Sequence, residues 1–245
     1  MEVIVVKNYE EMSRKAASVI EEKVNAEPDC VLGLATGGTP LGTYEQLIEG
    51  HRSRGIDYSG VTTFNLDEYV GLPRDHSQSY HTFMQEQLFS HIPFLNTYIP
   101  NGEAEDLDKE CREYEALLDK EGPANIQLLG IGSNGHIGFN EPGASFEAGT
   151  HVEKLDQVTR EANARFFPSL ESVPTEAVTM GIASILKSEE ILLLASGANK
   201  QEAIRRLLKG EMDEMFPASA LYNHKHVTLI VDEEAYGKDV DTSAE

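Results

Sequence analysis

The chain has 245 residues, 40% of them hydrophobic, which is ample for one sizeable core and sets a single domain over residues 1–245 as the expectation. With 42 acidic against 20 basic residues the formal charge is −22. That charge excludes nucleic acid and anionic membrane as main partners and obliges any anion site to be built from a few local positive groups. No apolar run approaches the ~18–20 residues that span a bilayer, and the first seven residues are too short and too early charged for a secretory signal. Cys30 and Cys111 are isolated thiols without ligand spacing, so a cytoplasmic protein with no disulfide framework is expected.

In chain order, runs rich in Val, Ile and Leu at residues 3–6, 30–35, 61–66, 126–131, 191–195 and 227–231 have the length and composition of strands buried on both faces. Helical patterns lie between them. Residues 9–25 carry apolar side chains at helical spacing with acids near the start, and residues 40–49 open on Pro40, a residue suited to the first helical position. Residues 79–90, 103–120 and 198–209 follow the same style. This alternation predicts an α/β fold: a doubly wound, mainly parallel sheet with helices on both faces, Rossmann-like. Residues 144–174 are less regular and are read as a lid over the site; residues 237–245 are polar without apolar anchors and are expected to fray.

Ligands of such sheets bind beyond the carboxyl ends of the strands, where four turns stand out. Thr36-Gly37-Gly38-Thr39 joins a strand to a helix, and its amides form either an anion cradle at a helix N-terminus or a tight turn that needs glycine. It lacks the Gly-Lys-Ser/Thr ending of a nucleotide P-loop. Asp67-Glu68 directly follows a buried strand; one acid serves as a general base, or, in the plainer reading, both are solvated. Gly130-Ile131-Gly132-Ser133-Asn134-Gly135 matches the dinucleotide fingerprint, but Gly138, Pro142 and Gly143 break the helix that the fingerprint must open. What the turn does carry is His136 with Glu141 nearby, a pair in which the carboxylate accepts from one ring nitrogen and leaves the other to exchange a proton. Lys200, at a fourth strand-to-helix turn, and Arg165, in the lid segment, are candidate phosphate contacts or surface ion pairs.

Residues 34–40, 64–72, 79–81 and 130–143 together resemble the glucosamine-6-phosphate deaminase (glucosamine-6-phosphate isomerase) family, in order and over essentially the whole chain. The block Gly135-His136-Ile137-Gly138-Phe139-Asn140-Glu141-Pro142 is highly specific to it; the related 6-phosphogluconolactonases look similar up to Gly-His and then diverge. The resemblance implies conversion of glucosamine 6-phosphate and water to fructose 6-phosphate and ammonia, with no metal or organic cofactor. It implies that His136 opens the sugar ring, assisted by Glu141 and Asn134, and that Asp67 takes the C2 proton. Thr36, Gly37, Gly38, Thr39 and Lys200 would hold the phosphate, and Arg165 would close over it. Two departures from the family pattern matter. Many members have aspartate at Asn134, and allosteric hexameric members have basic residues where this chain has His151 and Glu153. A monomer or simple homo-oligomer is therefore expected rather than an allosteric hexamer. A lactonase-like sugar-phosphate hydrolase and a non-catalytic sugar-phosphate sensor are the alternatives, the latter opposed by the lack of a basic DNA-binding segment.

Overall fold

The computed structural model describes residues 1–237. Among them the main sheet has seven strands, all pairs parallel, in the order β1 (Glu2–Val6), β10 (Val227–Asp232), β9 (Glu190–Ala195), β6 (Ile126–Gly130), β2 (Val31–Leu34), β3 (Thr62–Asn65) and β5 (Asn96–Tyr98). Six of these coincide with the predicted apolar runs. The short edge strand β5 has too few apolar residues to announce itself.

Alternation along each strand divides the core in two. Leu32 and Leu34 of β2, Ile126 and Leu128 of β6, and Leu192 and Leu194 of β9 pack against α1 (Tyr9–Ala26) and α2 (Leu41–Arg54). Val31, Leu129, Ile191 and Leu193 face the other way, toward α4 (Leu107–Glu121), α6 (Ile182–Ile185) and α7 (Gln201–Leu207). The doubly wound architecture is thus the direct product of period-two burial on both faces. In α1, Met12, Ala16, Ile20 and Val24 fall on one buried stripe, and each large aliphatic residue so buried contributes about 1.5–3 kcal/mol. Asn8 starts this helix by accepting from the Glu11 amide at 3.0 Å. The predicted helix over 40–49 begins one residue later, with Pro40 as its cap. The segment 79–90 is α3 (Tyr80–Met84) followed by a π turn, and residues 198–200 form a 3-10 turn ahead of α7.

A second sheet was not foreseen. β4 (Asp67–Tyr69), β8 (Glu176–Thr179) and β7 (His151–Lys154) form a three-stranded antiparallel layer. Leu66 is the corner between the sheets: its amide donates to Leu34 of the main sheet and its carbonyl accepts from Met180 just past β8. Residues 144–174, read as irregular from sequence, contain β7 and the short helix α5 (Gln157–Asn163). The helix α8 (Glu233–Tyr236) ends at Gly237; the rest of the segment expected to fray, residues 238–245, lies outside the described residues.

The chain order reverses between β2 and β6: from β2 it runs through β3 to β5, and from β6 through β9 to β10. The loops leaving β2 and β6 part at that point, opening a crevice at the carboxyl ends of the strands.

Candidate active site

A cavity of about 590 Å³ occupies this crevice. Its floor at one end is the loop between β2 and α2. Gly37 has φ 88°, a backbone conformation that glycine adopts without strain. Among the described residues the amides of Gly37, Gly38 and Thr39 have no hydrogen-bond partner, and Pro40 supplies no side-chain cap to α2. Unpaired N–H groups and the positive end of the helix dipole are therefore presented together. Lys200 reaches the same end from the turn after β9, its Nζ donating to the Ile131 carbonyl at 2.7 Å. Burial and the neighbouring Arg165 charge lower its pKa. Arg165 comes from the 3-10 turn after α5; its guanidinium lies 4.6 Å above the Phe166 ring and its Nη2 sits over Gly38. Two cations and a helix N-terminus make this end locally positive on a strongly acidic protein.

Asp67 also lines the cavity, from the start of β4, one residue past the Leu66 corner. The reading of Asp67 and Glu68 as a solvated pair does not hold: they are 5% and 2% exposed. Glu68 is consumed by structure, accepting from the Tyr69, Tyr80 and His81 amides and meeting His81 Nδ1 at 3.2 Å. It caps α3. The Asp67 carboxyl faces the cavity and has no hydrogen-bond partner among the described residues. Burial, reinforced by the Glu68 charge, pushes its pKa up to about 8.

The third wall is the loop after β6. Gly132 is the position of closest approach, since a Cβ there would lie within 2.3 Å of the His136 ring; only glycine lets the imidazole lie flat on the backbone. Burial and the Lys200 charge push the His136 pKa down to about 4, so the ring is neutral at neutral pH. The expected direct bond from His136 to Glu141 is absent: Nδ1 and Oε2 are 3.7 Å apart, beyond hydrogen-bond length. The Thr159 hydroxyl of α5 instead lies 3.3 Å from Nδ1. Asn134 likewise turns toward the carboxylate, its Nδ2 donating to Glu141 at 3.0 Å while its Oδ1 accepts from the His136 amide at 3.2 Å. Glu141 also accepts from the Asp156 amide at 3.2 Å. Burial raises its pKa, against the opposing pull of the Thr159 and Asn134 hydrogen bonds. His136 Nε2 has no partner among the described residues and is the nitrogen left for a ligand.

Of the residues nominated from sequence, Thr36, Gly37, Gly38, Thr39, Asp67, Asn134, His136, Arg165 and Lys200 line this one cavity, and Glu141 stands behind His136. Sequence reasoning missed Thr159, Tyr9 and the cavity role of Tyr80, whose ring stacks on Phe139 with centroids 6.0 Å apart. A threonine in a short helix carries no spacing signal; Tyr80 lay inside a recognised motif but had no chemistry attached. Among the described residues no group of His, Cys, Asp and Glu is arranged to hold a metal ion.

The model of the glucosamine-6-phosphate isomerases/6-phosphogluconolactonase family matches residues 7–231. A glucosamine-6-phosphate deaminase of Bacillus velezensis is 53% identical over 98% of this chain and all of its own length. Glucosamine-6-phosphate deaminase 1 of Bacillus subtilis is 54% identical, covering 96% and 98%. The solved structure of a monomeric glucosamine-6-phosphate deaminase superposes with a TM-score of 0.94 at 54% identity, over 96% of this chain and 98% of that one. A 6-phosphogluconolactonase of Trypanosoma brucei shares the fold, with a TM-score of 0.77 at 20% identity over 96% and 97%. The chain belongs to the glucosamine-6-phosphate isomerase/6-phosphogluconolactonase family.

Proposed function

We propose that this protein is a glucosamine-6-phosphate deaminase, releasing ammonia from glucosamine 6-phosphate by isomerisation followed by hydrolysis. The carrying observation is Asp67: a buried carboxyl of raised pKa without a hydrogen-bond partner among the described residues, in the same cavity as Lys200, Arg165 and the Thr36–Thr39 amides. A base of raised pKa suits proton abstraction next to a carbonyl, whereas lactone hydrolysis removes no proton from carbon. Full-length likeness to deaminases above 50% identity supports the same reading.

In this reading the phosphate binds to the Thr36–Thr39 amides and Lys200, and Arg165 closes over it from the lid segment 144–174. Neutral His136 takes the proton of the anomeric hydroxyl through Nε2 and returns it to the ring oxygen, opening the sugar. Thr159 meets the imidazole at Nδ1, Asn134 orients the Glu141 carboxylate and the His136 backbone, and the carboxylate, 3.7 Å from Nδ1, stabilises the transient positive charge. Asp67 then removes the C2 proton while the substrate ammonium gives up a proton and the aldehyde oxygen gains one, forming a neutral enolamine. The proton returns at C1, and the resulting C2 imine is hydrolysed to ketone and ammonia. The substrate ammonium beside C2 favours the ionised form of Asp67. Both cysteines are buried and unpaired, which agrees with a cytoplasmic enzyme, and no described helix is long and apolar enough to cross a membrane. A monomer is proposed, as in the similar structure.

A pair of coupled assays tests this reading. Ammonia and fructose 6-phosphate are expected from glucosamine 6-phosphate, with no turnover of 6-phosphogluconolactone; the reverse pattern would identify a lactonase.

A further inference from the structure

Tyr9 is the first residue of α1 and belongs to none of the motifs, yet it stands in the wall of the cavity beside the Thr36–Thr39 loop. Its hydroxyl donates to the Gly38 carbonyl at 3.0 Å and accepts from the Gly42 amide at 2.8 Å. A hydroxyl has one proton, and here it is committed to Gly38. None is left for a phosphate, whose oxygens chiefly accept. Direct recognition is thereby excluded, and an action through the loop remains.

Gly42 is the second residue of α2, a helix whose own N-cap supplies no side-chain hydrogen bond. Tyr9 satisfies that orphan amide from a different helix. The Gly38 carbonyl and the Thr39 amide belong to one trans peptide, in which C=O and N–H point in opposite directions. Holding the carbonyl on Tyr9 therefore fixes the Thr39 N–H on the far side of the peptide plane. Two consecutive glycines would otherwise leave this loop with wide conformational freedom. Gly42 permits the approach: a Cβ there would lie 3.0 Å from Tyr9 Cε1 and 2.4 Å from Ser13 Oγ.

We propose that Tyr9 is a positioning residue for the phosphate site, a clamp that pre-orients the amides of the Thr36–Thr39 loop without touching the ligand. The inference rests on reading the cavity as a phosphosugar site. Its effect belongs in binding and not in the chemical step, because among the described residues its hydroxyl bonds only to Gly38 and Gly42 and to neither Asp67 nor His136.

Tyr9→Phe keeps the ring and removes both hydrogen bonds. Its KM for glucosamine 6-phosphate is expected to rise about tenfold with kcat within about twofold, the signature of lost uniform binding. The inhibition constant of inorganic phosphate is expected to rise by the same factor. Ser13→Ala trims a neighbouring contact of α1 with α2 and is expected to keep wild-type constants; Gly42→Ala, whose Cβ would crowd Ser13 Oγ and Tyr9 Cε1 together, is expected to weaken phosphate binding as Tyr9→Phe does. Calorimetry with inorganic phosphate reads the cradle without turnover. A wild type that releases no ammonia but binds phosphate more tightly than Tyr9→Phe refutes the deaminase reading and upholds the clamp. Unchanged phosphate affinity in Tyr9→Phe or Gly42→Ala, a loss confined to kcat, or an equal loss in Ser13→Ala overturns it.

Discussion

Asp67 shows how one side chain is tuned by position. Its neighbour Glu68 takes the amide donors of α3, so Asp67 is left buried, unpaired and beside a like charge, and its pKa rises to about 8. If it is the base, it must be ionised to act, and kcat/KM reports groups of the free enzyme. The acid limb of kcat/KM against pH is expected near 8 and not near 4, where an ordinary carboxylate titrates; a limb at about 4 contradicts the assignment. Stability carries the opposite signs for the two buried groups. Folded His136 titrates at about 4 instead of 6.5, so the native state binds fewer protons in that window and loses stability as pH falls through it. Folded Asp67 keeps its proton from 3.8 to about 8, and its contribution weakens as pH rises through that range. At this scale the acids, the histidine and the glycine turns were legible in the sequence because their chemistry is unusual for packing. The Asn134–Glu141 bond was not, since which partner an amide chooses is settled by where the loop closes. Tyr9 and Thr159 were not, because a single hydroxyl has no pattern.

Among the elements, the apolar strands of the main sheet were legible because burial on both faces leaves continuous Val, Ile and Leu runs. The second sheet was not. Asp-Glu-Tyr in β4 and His-Val-Glu-Lys in β7 have neither apolar alternation nor length, and they become strands by pairing with β8 from a distant part of the chain. Glu115 of α4 ties that sheet down. It accepts from the amide and hydroxyl of Thr150, at the entry to β7, from Ser184 of α6, and from Lys187. Despite opposing burial, these hydrogen bonds hold its pKa down at about 2. Below the ordinary value of 4.5 this contribution fades as the folded carboxylate is protonated. Glu115→Ala should cost about 2–3 kcal/mol in chemical denaturation at neutral pH, through several charge-assisted bonds lost at once. A change under about 0.5 kcal/mol, the range of an ordinary surface substitution, would remove the anchoring role.

Across the whole molecule, a charge of −22 coexists with a cavity that gathers Lys200, Arg165 and a helix N-terminus. The general field repels anions, and the local one attracts them. Self-repulsion on this scale is screened by salt, so the thermal midpoint is expected to rise between about 0.01 and 0.5 M ionic strength; a midpoint that stayed flat or fell would show that repulsion does not limit stability. At the positions where a basic cluster would serve an allosteric anion, His151 Nε2 is instead paired with Glu153 at 3.1 Å. Light scattering is expected to give the monomer mass of 27.0 kDa, with hyperbolic kinetics that N-acetylglucosamine 6-phosphate leaves unchanged. Sigmoidal kinetics made hyperbolic by that compound would overturn this expectation. The most direct measurement is ammonia release from glucosamine 6-phosphate by the wild-type protein and by Asp67→Asn, which keeps the shape and removes the base. Expected is turnover by the wild type and a loss of at least about a hundredfold in kcat in the variant, the low end for general-base catalysis. An inactive wild type, or a variant at full rate, contradicts the assignment of Asp67 as the carbon base of a deaminase.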